Sequence, residues 1–503
     1  MTAALAALIE QAVHSGPGAP EWTRIEQDLL ASHGQGRADA LIPGLQRMVE
    51  AWPQSAQAHW LLGVALHDTQ KHEEALAAMA QAAALAPRPE ILLGQAQLCH
   101  ETGRPAAARF AALCARTPDD PRLVCKLAAS LAAEGQPQAA EQVLVAALER
   151  HPAWLDGQRQ LASLRQTGGK PDFDRAYAEA VRRAPDHAGL RLGWFTELAK
   201  ARQWASARRV IQDARHTLGE LPALQIASAY LDAESGAADH DPTLFDDFGV
   251  SLDPGLGLAR VRHALRCGDA EKAARHAEAF LSTAAATAFW PYLSIAWRLL
   301  GDARAEWLDR PDQFIRVASL GLGSGQLEEL AVLLRSLHTM AEPYLEQSVR
   351  GGTQTDRPLL FRHEQPIVRL RQAIREAVAE YVAALPPPDP RHPLLAPQRQ
   401  SLRFAGSWSV RLRDQGFHSC HTHPMGWISS ACYIALPPAP GEPPAGCLRL
   451  GTPPPELRLD LAPYREIAPQ AGQLVLFPAT MWHGTVPFKG EERLTVAFDM
   501  RPM

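Results

Sequence analysis

The chain of 503 residues has no CxxC pair; its seven cysteines, at 99, 114, 125, 267, 420, 432 and 447, are odd in number and scattered. They give no disulfide framework and no zinc-finger spacing, and read as reduced thiols of a cytoplasmic protein. No basic residue precedes Arg24, so the charged start of a secretory signal is missing. No stretch approaches the roughly 20 apolar residues of a membrane span. A formal charge of −5 provides no basic footprint for nucleic acid. The expectation is a cytoplasmic protein with no membrane and no nucleic-acid partner. With 46% hydrophobic and 21% charged residues it is globular, and its length exceeds what one core organises.

Proline is in excess: 41 residues, about 8% against an average near 5%. In the first half its placement is periodic. Pro87, Pro118, Pro152 and Pro185 stand 31, 34 and 33 residues apart, each after an alanine-rich helical stretch. That period is the mark of stacked helix hairpins. Twelve residues before Pro87, Pro118 and Pro152, and before Gly219 in the last unit, stands a small residue: Ala75, Ala106, Ala140, Ala207. Four further on comes a larger apolar one: Met79, Phe110, Leu144, Ile211. Small residues let helices approach, and the larger ones fill the groove between repeats.

The segment 56–87, with Leu62-Gly63, Leu66, Ala75, Met79, Ala82 and Pro87, resembles the tetratricopeptide repeat, and 120–152 is similar through Leu127, Gly135, Ala140 and Ala147. The resemblance covers about 40–220, with 153–185 degenerate at Gly168-Gly169 and Pro171. A generic alanine-rich solenoid without a peptide groove is the other reading of the same period. Helical patterning continues through DAEKAARHAEAFL and WPYLSIAWRLLGDARAEWL to a strong helix at 366–385, stopped by LPPPDPRHPLL. From about 401, SLRFAGSWSVRL, GWISSACYIAL, GCLRLG, GQLVLFP and RLTVAFDM are short β-rich segments between Gly/Pro turns, as in an all-β barrel or sandwich. The expected units are 1–220, helical repeats; 221–310, degenerate hairpins; 311–400, helical support and linker; 401–503, the β domain.

The β segment contains His418, His421 and His423 within six residues, and His483 about 60 residues later. In a strand, residues i and i+2 share a face, so His421 and His423 could present two imidazoles to one point and His483 a third. Neutral imidazole suits iron, zinc, copper and nickel, and three ligands leave coordination positions open. A solvated loop is the plainer reading of a histidine cluster.

The text GQLVLFPATMWHGTVPFKGEERLTVAFD resembles the closing half of an iron(II)- and 2-oxoglutarate-dependent oxygenase: a strand, a distal His483, then Arg493 ten residues on and Thr495 after it. SWSVRLRDQGFHSCHTHPMGWISSACYIALP, with GTQT at 352–355, is similar to a bacterial and phage group of such proteins often preceded by tetratricopeptide repeats. The match spans roughly 290–503. It implies a double-stranded β-helix (jelly-roll) domain after an α-helical solenoid, with iron(II) as metal and 2-oxoglutarate and O2 as cosubstrates. It implies that Arg493 pairs with the far carboxylate of 2-oxoglutarate, which a guanidinium can grip through two parallel hydrogen bonds, and that the Thr495 hydroxyl donates beside it.

One departure stands out. The family's His-x-Asp/Glu reads His421-Thr422-His423 here. Either His423 replaces the carboxylate in a three-histidine site, or only His421 and His483 bind. Asp414 is the nearest upstream carboxylate, without supporting spacing, and His418 lies off the ligand face as a neighbour or a solvated residue. Arg411 and Tyr433 are further candidates for the cosubstrate, and Trp427, Trp482 and Arg350 for the substrate pocket; surface, core or loop positions are the alternatives for each. Cys420 and Cys432 are left as ordinary thiols. Three functions follow: an oxygenase acting on a peptide, protein or other substrate recruited by the repeats; a repeat scaffold with a degenerate or metal-sensing β domain; or a three-histidine dioxygenase that dispenses with 2-oxoglutarate.

Overall fold

The computed structural model describes residues 2–31, 38–118, 120–249, 251, 253–438 and 441–503. Antiparallel helix pairs follow one another through the first half: Ala56–Asp68 with His72–Leu85, Pro89–Glu101 with Ala107–Arg116, Pro121–Ala133 with Pro137–Arg150, Leu155–Thr167 with Arg175–Arg183, Ala188–Lys200 with Trp204–Leu218. Pro87, Pro118, Pro152 and Pro185 fall in the links between pairs. Other prolines, such as Pro89, Pro121 and Pro137, open helices, where the missing N–H costs nothing.

All eight aligned small and large positions, Ala75 to Ile211, are buried. Close approach is enforced at Gly63, where a Cβ would lie 2.7 Å from Met79 Cγ. Helix pairs continue to Arg304–Asp309, so the solenoid runs on through the region expected to hold degenerate hairpins. Among the described residues no helix is long and apolar enough to cross a membrane.

The second half contains strands β1 (Arg316–Ser319), β2 (Val349–Gln354), β3 (Leu402–His418), β4 (Ile428–Ala435), β5 (Leu448–Leu450), β6 (Arg465–Ile467), β7 (Gln473–Pro478), β8 (His483–Thr485) and β9 (Arg493–Pro502). They form an antiparallel six-stranded sheet, β1-β7-β4-β9-β3-β2, and an antiparallel three-stranded sheet, β6-β5-β8. Alternation along the strands sorts the large sheet into two faces. Leu474, Leu476, Leu494, Val496 and Phe498 pack on one face against Leu330 and Leu334 of helix Ser324–Leu337 and Leu370 and Ile374 of helix Gln365–Ala383. Tyr433, Val475 and Phe477 on the other meet Leu448, Leu450 and Ile467 of the small sheet. This is the two-sheet jelly-roll arrangement.

The expected boundary at 401 is corrected: β1 and β2 lie in the region assigned to helical support, yet they form both edges of the large sheet. Their four and six residues are too short and too glycine-rich (VRGGTQ) to stand out in a helical context.

The turns within successive helix pairs hold the jelly roll. The Gln70 amide bonds both backbone groups of Phe404, at 2.9 and 3.1 Å. Arg357 donates to the Ala133 carbonyl, and the Ala341 and Glu342 amides to that of Thr167. Lys200 pairs with Glu346 at 2.5 Å. The segment 338–348, which leads into β2, thereby lies against the array.

Candidate metal centre

His421, His423 and His483 come together without lying on one strand. β3 ends at His418; the chain then crosses to β4, and His421 forms an isolated antiparallel bridge with His483, the first residue of β8. Its two N–H···O=C bonds measure 2.9 and 3.0 Å. His423 is outside regular structure, its amide bound to the Ala479 carbonyl at 2.9 Å. The expectation of two histidines facing together from one strand is therefore right in outcome and wrong in cause. Ring centroids are separated by 4.2 Å (His421–His483), 4.9 Å (His421–His423) and 5.0 Å (His423–His483), and one ligand nitrogen from each lies within 4.8 Å of the others.

Each Nδ1 has an acceptor. That of His421 is 2.8 Å from the Ser419 carbonyl, that of His483 3.0 Å from the Met481 carbonyl, and that of His423 2.7 and 2.8 Å from the two oxygens of Asp499. Those acceptors assign the proton to Nδ1, which leaves a lone pair on each Nε2. Burial, with the neighbouring histidines second, holds His421 and His483 well below the usual histidine pKa, so both rings are neutral. His418 stands beside them: Ser348 Oγ links its Nδ1 (3.1 Å) to His421 Nε2 (3.2 Å), and burial pushes its pKa down to about 3.

The histidines open into a cavity of about 300 Å³ that is also lined by Ser348, Gln354, Trp408, Thr495 and Asp499. Thr495 and Asp499 share the inner face of β9 with Ala497 and Arg493. Arg493, below the lining, is 2% exposed. Its Nη1 donates to the Gly446 carbonyl at 2.8 Å, Nε has no partner, and no acid pairs with it among the described residues. Its guanidinium carbon stands 5.1 Å from the centre of the Tyr433 ring, whose buried hydroxyl is also unpartnered. Burial pulls the Arg493 pKa down and raises that of Tyr433. A buried cation and hydroxyl left unsatisfied together form a donor set suited to a carboxylate.

Residues 406–499 match the family model described as "Putative 2OG-Fe(II) oxygenase". Among solved structures, the chain is similar to a Pseudomonas putida prolyl-4-hydroxylase at 15% identity, covering 38% of this chain and 88% of that one, with a TM-score of 0.26. HygX from Streptomyces hygroscopicus, solved with nickel, 2-oxoglutarate and hygromycin B, matches at 14% identity over 38% and 84%, TM-score 0.26. A tetratricopeptide repeat protein from Parabacteroides merdae matches at 15% identity over 55% and 98%, TM-score 0.32. No curated protein matches the chain. The matched segment, 406–499, lies in the jelly roll and includes all three clustered histidines and Arg493.

Several residues expected at the oxygenase site lie elsewhere. Arg411 is on the outer face of β3, because Trp408 and Val410 face the cavity; its Nε donates to Glu492 at 2.6 Å, and Glu492 also pairs with Arg335. Arg350 does not line the cavity and instead donates to the Gln347 and Val349 carbonyls. Trp427 is packed in the outer core with Nε1 on the Leu394 carbonyl. Trp482 is packed against the solenoid's last helices, with Nε1 on the Pro291 carbonyl. Asp414 accepts from the Gly490 amide at an exposed turn, Cys420 packs beside Gly484, and Cys432 is fully buried in the outer core. From GTQT only Gln354 reaches the cavity. Trp408, Ser348 and Asp499 were not anticipated; the i+2 spacing from Arg493 through Thr495 to Asp499 is the one signal that pointed to any of them.

Proposed function

We propose that this protein is an iron(II)- and 2-oxoglutarate-dependent dioxygenase that oxidises an extended peptide delivered by its helical array. The observation that carries this reading is three converging imidazoles, each with Nδ1 on an acceptor and its other nitrogen available to a metal, that of His421 once it exchanges the Ser348 hydroxyl for the ion. His421, His423 and His483 would hold the iron, which with 2-oxoglutarate and O2 supplies the oxidising chemistry: loss of CO2 to give succinate and oxidation of a substrate C–H bond.

The residues of this chain do the rest. Arg493 and the Tyr433 hydroxyl supply donors for the far carboxylate, and Thr495, which lines the cavity, adds a hydroxyl. Trp408, tilted 5.3 Å from the His423 ring, restricts access from the β3 side. Burial, by keeping the His421 and His483 rings neutral, keeps their lone pairs available for binding.

The peptide reading rests on continuity. A groove of about 840 Å³ lies on the first helices of successive pairs, with Gln97, Lys126, Arg159 and Lys200 along it, and ends at Tyr344–Glu346. Glu346 lines both this groove and the metal cavity. Gln160 in the groove has a buried side-chain oxygen without a partner, so a main-chain N–H could satisfy it.

The test is anaerobic addition of iron(II) and 2-oxoglutarate to the purified protein, followed by its visible charge-transfer band. Absence of the band from folded protein overturns the reading. With the band present, peptides should stimulate succinate release. Lys126→Glu and Arg159→Glu should reduce that stimulation while leaving the band intact; no change in either would remove the groove from the account.

A further inference from the structure

We infer that Asp499 is a positioning residue of the metal centre: it fixes the His423 ring with Nε2 toward the metal and supplies, one residue further out, the negative charge that His423 does not bring. This rests on the proposed iron site but concerns a residue outside its ligand set. Both Asp499 oxygens are within 2.8 Å of His423 Nδ1, and His423 is the carboxylate's only ion-pair partner among the described residues. Asp499 is 6% exposed. A carboxylate that deep without Lys or Arg must have its charge used locally.

The surroundings are shaped for the pair. At Gly426 a Cβ would lie 3.1 Å from Asp499 Cβ and Cγ and 3.0 Å from Ala479 Cβ, so a side chain there would displace the carboxylate. The Gly426 amide in turn bonds the His423 carbonyl at 3.0 Å. Ser429 Oγ, 3.3 Å from the same Nδ1, is the weaker competitor. His421 and His483 lean on backbone carbonyls, which carry no net charge, and His423 alone leans on a carboxylate. A carboxylate on the remote nitrogen of a ligating imidazole fixes its tautomer and raises its basicity. The anionic group of a 2-His-1-carboxylate site is thereby moved outward rather than lost.

Anaerobic iron(II) titration of the full chain tests this with Asp499→Asn, a near-isosteric change. The expected result is iron binding weaker by about 10- to 100-fold, with a displaced charge-transfer band and an unchanged melting temperature of the metal-free protein. In a double-mutant cycle, Asp499→Asn should add little once His423→Ala is in place. Wild-type affinity in Asp499→Asn overturns the inference. So does a loss as large in the His423→Ala background, which would make Asp499 act alone. A wild-type chain that takes up no iron overturns the functional reading instead, and nitrogen NMR of the metal-free histidine rings then decides separately. Loss of the Nδ1–H form of His423 in Asp499→Ala supports the positioning role; an unchanged ring overturns it.

Discussion

The helical array and the jelly roll each bury an arginine almost completely, and the two are used differently. In the array, Arg191 is buried but donates to three acceptors, the Pro185 carbonyl, Asp213 and Thr217. Within the jelly roll Arg493 is as deeply buried and donates to one carbonyl. Arg191 is spent on structure, whereas the donors of Arg493 and Tyr433 remain unspent. Burial alone marks neither role; what distinguishes Arg493 is an unmet donor beside a second unpartnered group, the Tyr433 hydroxyl.

The largest expected contrast is at the centre itself. His483→Ala should abolish the charge-transfer band and iron(II) retention, measured anaerobically, while the helical circular dichroism of the array stays. Arg493→Gln comes next. It should raise the 2-oxoglutarate concentration for half-maximal band by about 10- to 100-fold, the equivalent of a charged hydrogen bond, with iron affinity unchanged. Arg411→Gln, on the other side of the same sheet, should leave that concentration where it was.

Acid should weaken both regions. Burial lowers His72 in the array to about 3, and His418 and His338 by the jelly roll to about 3 and about 4. Their folded values lie below the unfolded one, near 6.5, so the unfolded chain binds more protons in that window. Stability from these groups is complete above about pH 6.5 and falls as the pH drops toward about 3, read as the melting temperature of the metal-free protein. Iron(II), which binds only neutral rings, should oppose the loss in the jelly roll and leave the array unprotected. The smallest effect is a packing one: Ala140→Leu, at a fully buried contact, should cost about 1–3 kcal/mol in urea unfolding of the array and leave the iron chelate untouched.

Legibility differed between the regions for a physical reason. In the array the contacts that matter join neighbouring repeats, so the period of Pro87 to Pro185 and the Ala75/Met79 pattern expose them directly. In the jelly roll, His421, His483 and Asp499 are neighbours only through a bridge and a cross-sheet contact. The histidine spacing identified the trio, yet the strand geometry expected to orient them is absent. The segment GQLVLFP marked β7 directly, while β1 and β2 were hidden among helical text.

By itself, then, the sequence determined the solenoid, the strand-rich C-terminus, and the candidate residues for metal and carboxylate binding, because these follow from period, turn residues and side-chain type. Only the tertiary structure decided which side of each strand faces the cavity. Alternation separates Arg411 from Val410 but cannot say which is inside, and the packing of helix Ser324–Leu337 against the outer face settles it. The same packing places the Asp499 carboxylate on His423, because residues 76 apart in the chain meet only when the sheet has formed.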